Sequence, residues 1–346
     1  MAQDILVAKA SHFSASRYLR ACEELTNAFA AGANYQIWAG MQGELDPNTG
    51  MVLEINRLKA PLEAFCQKTL DHRCFELCYN KRWRAKDLFG FVFDGLSSRF
   101  NEDQLRLSYL RLDELPRLSM TQGEQKGFRE TLTLSFDAFA AYLGEASVFL
   151  DATLLFDAAR FKRVDPAIKK ALFNALMLFF KTGQVESLLS LSEAAAFVGI
   201  KSASYSLTFS DGALMLSWPM PFSFQHQLVL DSLSKVENEA LFGPCERIHG
   251  HSMVLWPKMR LPIKEHGLLW QKKSDLSVVI QPFLDTLQEE GAHQRLCETT
   301  GYPIPSCEVL LSYLKAELTN VNISKEALLE SLSLFETPRN LFKIGF

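Results

Sequence analysis

The two ends of this 346-residue chain read as degenerate copies of one unit, and that repeat limits the possible folds more than any other feature. ILVAKASHFSASRYL (5–19) has the pattern of a strand, and NYQIWAGMQGELDPNTGMVLEI (34–55) that of two strands around a DPNTG turn. INRLKAPLEAFCQKTL follows with helical spacing at Ile55, Leu58, Leu62, Phe65 and Leu70, bent by Pro61. Near the other end, SYSLTFSDGALMLSW predicts a hairpin around Asp211–Gly212. FSFQHQL (222–228) then follows as FSASRYL does in the first copy, and DLSVVIQPFLDTLQEEGAHQRL takes the place of EINRLKAPLEAFCQKTLDHRCF.

Residues 83–204 do not share the repeat and read as mostly helical. DPAIKKALFNALMLFFKTG predicts a helix capped by Asp165, with Pro166 in its first turn and Gly183 at its stop. Its stripe of Ile168, Leu172, Ala175, Leu176 and Phe179 has the spacing of a core face. SLSEAAAFVGIKS opens with a capping-box pattern, Ser190 to Glu193, and KRWRAK (81–86) reads as a solvated basic loop. The expected division is a first copy over 1–82, completed by later strands, a central segment over 83–204 and a second copy over 205–346.

A hydrophobic share of 48% with 22% charged residues fits a soluble protein with a sizeable core. The net charge of −4 argues against a nucleic-acid or anionic-membrane partner, and no apolar run approaches the ~20 residues of a membrane span. The Met1 region lacks the basic start and apolar core of a secretory signal, and seven cysteines is an odd count, so reduced thiols in the cytoplasm are expected.

The chemistry concentrates in LFGPCERIHGHS (241–252). His249 and His251 are two apart, so on a strand both point to one face, and imidazole is a favoured zinc donor. A third ligand should come from the strand expected to pair with this one, where His226 stands behind Phe222 and Phe224. Cys245, four residues before His249, is not needed as a ligand; a thiol beside a dication ionises readily and suits a base or nucleophile.

FSFQHQL, C-x3-HGH, HQRLCETTGYPIPSCEVLLSYL and LFETPRN together resemble the 6-pyruvoyl-tetrahydropterin synthase / 6-carboxy-tetrahydropterin synthase family. The likeness covers about 205–346 and 1–80. It implies an α+β fold of tandem tunnelling-fold (T-fold) units: antiparallel sheets with helices on one face, built into β-barrels, here with a largely helical central insertion. It also implies Zn2+ on His226, His249 and His251, Cys245 as the catalytic thiol, and Glu336 with Thr337 anchoring the guanidine-like edge of a pterin. A carboxylate suits that edge because it accepts two parallel N–H bonds. The spacing of Cys245 before HGH resembles the bacterial, queuosine-pathway type.

In the family an Asp-His pair after the first helix relays protons with the cysteine. The second copy keeps His293 but has Ala292 at the aspartate position; the first keeps Asp71–His72. The first copy has Arg17, Ala31 and Ala33 where the three ligands would fall. The resemblance therefore implies a homo-oligomeric lyase acting on a small-molecule pterin, 7,8-dihydroneopterin triphosphate or a close relative, with Asp71–His72 or His293 partnering Cys245. Arg17 and Arg339 are candidates to meet phosphate. The alternative is a catalytically weakened pterin-binding or assembly-partner paralogue.

Overall fold

Alternation along β1 (Ile5–Ser16) puts Ile5, Val7, Phe13 and Ala15 into the main apolar core, while Ala8 and Ala10 join a separate cluster with Trp38 on the opposite face. That two-sidedness repeats around the molecule. The computed structural model describes residues 4–17, 32–79, 83–102, 104–115, 118–123, 128–145, 150–195, 198–210, 212–320 and 328–346.

The described chain passes three times through a similar order, in which opening strands are followed by helices and then by two closing strands. The first pass contains β1, β2 (Gly32–Gly43), α1 (Asn56–Phe65), the short β3 (Arg73–Cys74), α2 (Phe75–Tyr79), α3 (Ala85–Glu102), β4 (Tyr109–Leu115) and β5 (Leu118–Gly123). The second contains β6 (Arg129–Ser135), α4 (Phe136–Tyr142), β7 (Thr153–Asp157), α5 (Ala158–Phe161), α6 (Pro166–Thr182), α7 (Glu186–Ala195), β8 (Val198–Lys201) and β9 (Ser206–Ser210). The third contains β10 (Ala213–Ser217), β11 (Met220–His226), α8 (Lys235–Phe242), β12 (His249–Pro262), α9 (Leu269–Leu287), α10 (Ala292–Thr300), α11 (Cys307–Asn320), β13 (Leu328–Thr337) and β14 (Asn340–Gly345).

Among the described residues the sheet has 14 strands, of which β3 pairs only with β1 and β11 shares β12 with β10. The remaining twelve form a closed ring, β10-β9-β8-β7-β6-β5-β4-β2-β1-β14-β13-β12 and back to β10, antiparallel at every step. A barrel leaves no strand edge unpaired around its girth. The helices pack on its outer face, where Leu58, Leu62, Phe89, Leu172, Ile280 and Leu310 meet the strand residues of the main core.

The segment 83–204 is thus not an insertion outside the repeat. It is helical over α3 to α7, but it also supplies β4 to β8, five strands of the wall. Strands of the second pass have only four to seven residues, and sequences such as RETLTLS alternate too briefly and too politely to stand out. Two further expectations are corrected. Residues after the DPNTG turn form no second strand, because the Glu54 carboxylate accepts from Asn56 N (3.0 Å) and Arg57 N (3.2 Å) and starts α1. Ser190 lies inside α7 and does not cap it; its hydroxyl donates to Ser187 O. The α6 reading holds, with Asp165 accepting from Ala167 N at 2.7 Å and Gly183 left-handed. Ala31, Lys81, Arg82 and Asp211 lie outside the described residues.

One turn ties the first pass to the third beyond the sheet. Gly50, at φ +64°, lets its carbonyl accept from Ser306 Oγ (2.7 Å), and a Cβ there would sit 2.7 Å from Val309 Cγ2. Gly50→Ala should destabilise the protein by about 2 kcal/mol, from left-handed strain and lost packing, read as a lower urea midpoint with unchanged slope.

Candidate metal centre and ligand site

The antiparallel register of β11 and β12 sets His226 directly opposite His249 and Phe224 opposite His251. The three imidazoles converge, with one ring nitrogen of each within 4.8 Å of the others and centroids 4.6 to 5.3 Å apart. The backbone orients two of the rings: His226 Nδ1 faces Pro305 O at 3.2 Å, and His249 Nδ1 faces Arg247 O at 2.7 Å. All three Nε2 atoms are buried without a hydrogen-bond partner. Burial pushes the His226 imidazole down to about 4, so it stays neutral and able to donate a lone pair. Three orphaned nitrogens, two of them on backbone-oriented rings, fit a zinc-type cation.

Glu336, near the end of β13, brings Oε1 to 3.6 Å from His251 Nε2 and 3.8 Å from His226 Nε2. Its Oε2 accepts from Asn340 Nδ2 at 2.7 Å, and Cys307 Sγ lies 3.5 Å from Oε1. Thr337 follows, its hydroxyl accepting from Arg339 N at 3.3 Å. Cys245 is half-buried and packs on a small cluster that includes Met51 from the first pass, Phe242 and Ile304. Burial raises its thiol pKa, as do the carboxylates of Glu336 and Glu54, while the Lys9 ammonium opposes them. The first pass therefore does border this site, through Lys9, Met51 and Glu54.

Asp71 and His72 are elsewhere. Asp71 Oδ1 accepts from Ser14 N (2.8 Å) and Oδ2 from His72 Nδ1 (2.8 Å), and the His72 side chain is 84% exposed. The bond from Ser14 is the main reason the Asp71 carboxyl titrates low. Ser14 is five residues along β1 from Lys9, roughly 17 Å at the rise of a strand. Ala292 and His293 open α10, where Ala292 is buried.

Arg17 is not available to a phosphate. It is buried, its Nε and Nη2 donate to Glu114 Oε2 at 3.0 and 2.7 Å, and its Nη1 donates to Trp83 O at 3.4 Å. Register makes this pair the counterpart of the third-pass site. Arg17 follows the Ser16–Gly32 pair as His226 follows Gln225–Gly250, and Glu114 follows Asp113, opposite Gln36, as Glu336 follows Phe335, opposite Val254. An ion pair fills the place where the third pass has its histidines and carboxylate.

Residues 6–125 match the family model described as 6-pyruvoyl tetrahydropterin synthase. A 6-pyruvoyl tetrahydrobiopterin synthase from Dictyostelium discoideum is 28% identical over 81 residues, which are 23% of this chain and 60% of the amoebal protein. A putative 6-pyruvoyl tetrahydrobiopterin synthase from Caenorhabditis elegans is 28% identical over 127 residues, 35% of this chain and 86% of its own length. The solved structure of Caenorhabditis elegans 6-pyruvoyl tetrahydropterin synthase aligns at 25% identity over 40% of this chain and 99% of that one, with a TM-score of 0.31. The family-model match spans the first pass and stops short of the histidine cluster.

The sequence reading missed Lys9, Cys307, Glu308 and Asn340. Glu308, at the start of α11, is 3% exposed, and burial pushes its carboxyl up to about 8. In PSCEV (305–309) no spacing or composition signals that this glutamate is buried. Because the folded pKa lies above the reference 4.5, the folded state holds a proton that the unfolded chain releases between these values. This contribution to stability is complete below pH 4.5 and is lost as pH rises through 8. Glu308→Gln should therefore gain stability over wild type from neutral pH upward, checked by urea unfolding at pH 5, 7 and 9. At the first-pass pair, Arg17→Met should cost roughly 3–5 kcal/mol by stranding Glu114, with much of it recovered in Arg17→Met/Glu114→Leu.

Proposed function

We propose that the chain is a zinc-dependent lyase or synthase that converts 7,8-dihydroneopterin triphosphate, or a close relative, into a 6-substituted tetrahydropterin of the 6-carboxy or 6-pyruvoyl type. The observation that carries this is the trio of buried Nε2 atoms, without a hydrogen-bond partner, on His226, His249 and His251. These would hold the metal. Zinc supplies Lewis acidity toward the side-chain hydroxyls, lowering their pKa. Glu336 and Thr337 are the candidates to hold the pterin edge, with Glu336 Oε1 turned toward the histidines. Cys245 is the candidate to take a side-chain proton, and the rise in its pKa keeps the thiol protonated until positive charge arrives beside it. His293 or His72 would return a proton, His72 with Asp71 to support its charged form.

The rival reading, a weakened pterin-binding or assembly-partner paralogue, draws support from Ala292 and from the separation of Asp71–His72 from Cys245 along β1. Incubation with dihydroneopterin triphosphate and product mass analysis separate the two. Turnover to a tetrahydropterin supports the enzyme; tight pterin binding with no product sinks it. Under the enzyme reading, Cys245→Ala should keep stoichiometric zinc by elemental analysis while turnover falls about 10²–10⁴-fold. His251→Ala should lose both metal and turnover.

A further inference from the structure

We propose that Lys9, contributed by the first pass, is a positioning residue for Glu336 and acts through Asn340. The inference rests on the reading of Glu336 as a ligand anchor. Lys9 and Asn340 are register partners across the β1–β14 pairing, although 331 residues separate them in sequence. Lys9 Nζ donates to Asn340 Oδ1 at 2.7 Å, and Asn340 Nδ2 donates to Glu336 Oε2 at 2.7 Å. An ammonium can only donate, so it fixes which way the amide faces: Oδ1 to Lys9, Nδ2 to the carboxylate. With Lys9 gone, the amide is free to turn and present an oxygen to Glu336, and the carboxylate loses its anchor.

The first pass shows what a direct cation does at the equivalent place. Glu114 is capped by Arg17 and closed off, with 2% of its side chain exposed. Glu336 instead receives a neutral amide, and the positive charge stands one step back. Oε2 is pinned, while Oε1, facing the histidines and the Cys307 thiol, keeps acceptor capacity for a ligand N–H. Lys9 thus orients the anchor without consuming it. This gives a role to a first pass that carries none of the third pass's metal-binding residues.

The test uses zinc-loaded full-length protein titrated with pterin (2-amino-4-oxopteridine) by fluorescence. Lys9→Met should weaken pterin binding about tenfold or more, the worth of a hydrogen bond to a charged group. Asn340→Leu should match it, Lys9→Arg should stay within about threefold of wild type, and zinc content should not change. In a Glu336→Gln background, Lys9→Met should add nothing. Wild-type affinity in Lys9→Met, or an additive loss in the double variant, overturns the proposal. Lys9→Gln, a smaller change that can both donate and accept, serves if Lys9→Met does not fold, with the same direction expected. If wild type binds no pterin, the functional reading fails on its own. The Lys9→Met and Glu336→Gln pair in urea unfolding then decides the positioning role: coupled midpoints support it, additive ones overturn it.

Discussion

Backbone pairing between β1 and β14, Ile5 to Ile344 through Lys9 to Asn340, turns a long open sheet into a ring, and the candidate site depends on it. Without it, β1 and β14 would be exposed edges, which proteins elsewhere must blunt with charge or bulges. With it, the first and last strands of the chain become neighbours. Lys9 comes beside Asn340, and the turn at Gly50 comes over the start of α11. A polar network built across this closure exists only in the fully folded chain, because neither end can form it alone.

The third-pass site was legible in the sequence because its chemistry is local. HGH needs only a strand to align its two rings, and FSFQHQL is another short alternating run that register brings alongside. The barrel was half legible: the long strands of the first and third passes carry clear period-two patterns, up to fourteen residues in β12. The second pass was not, because its strands are short and its strong helix α6 dominates the local pattern. Lys9 was invisible for a different reason. A lysine at the middle of a strand reads as solvent-facing until one knows which strand closes the ring, and no spacing rule links position 9 to position 340.

Three glutamates near strand ends or helix starts show how one residue type is put to different uses by what faces it. Glu114 has a guanidinium in contact, and its charge is spent on structure. Glu308, buried at the head of α11, has hydrogen bonds from Ser306 and Val52 that burial outweighs, and it responds by holding its proton. Glu336 lies between these, steadied by an amide and a thiol, with neutral imidazoles on its open side. Direct pairing stabilises but occupies a carboxylate, and bare burial neutralises it. Only the intermediate arrangement leaves a charged acceptor in a fixed place, which is what recognition of a multi-donor ligand edge requires.

The same strand also separates two chemistries. Along β1, Lys9 points to the Glu336 network, whereas Ser14 holds Asp71 and, through it, the exposed His72. A strand is stiff at this scale, so groups five residues apart on it do not exchange protons directly, and among the described residues Lys9 and Glu54 are the first-pass charges that act on Cys245. His72 is left exposed at its end of β1, whereas the Arg17–Glu114 pair is buried. Within the barrel, the first pass borders the third-pass site through the fixed charges of Lys9 and Glu54 and the packing of Met51.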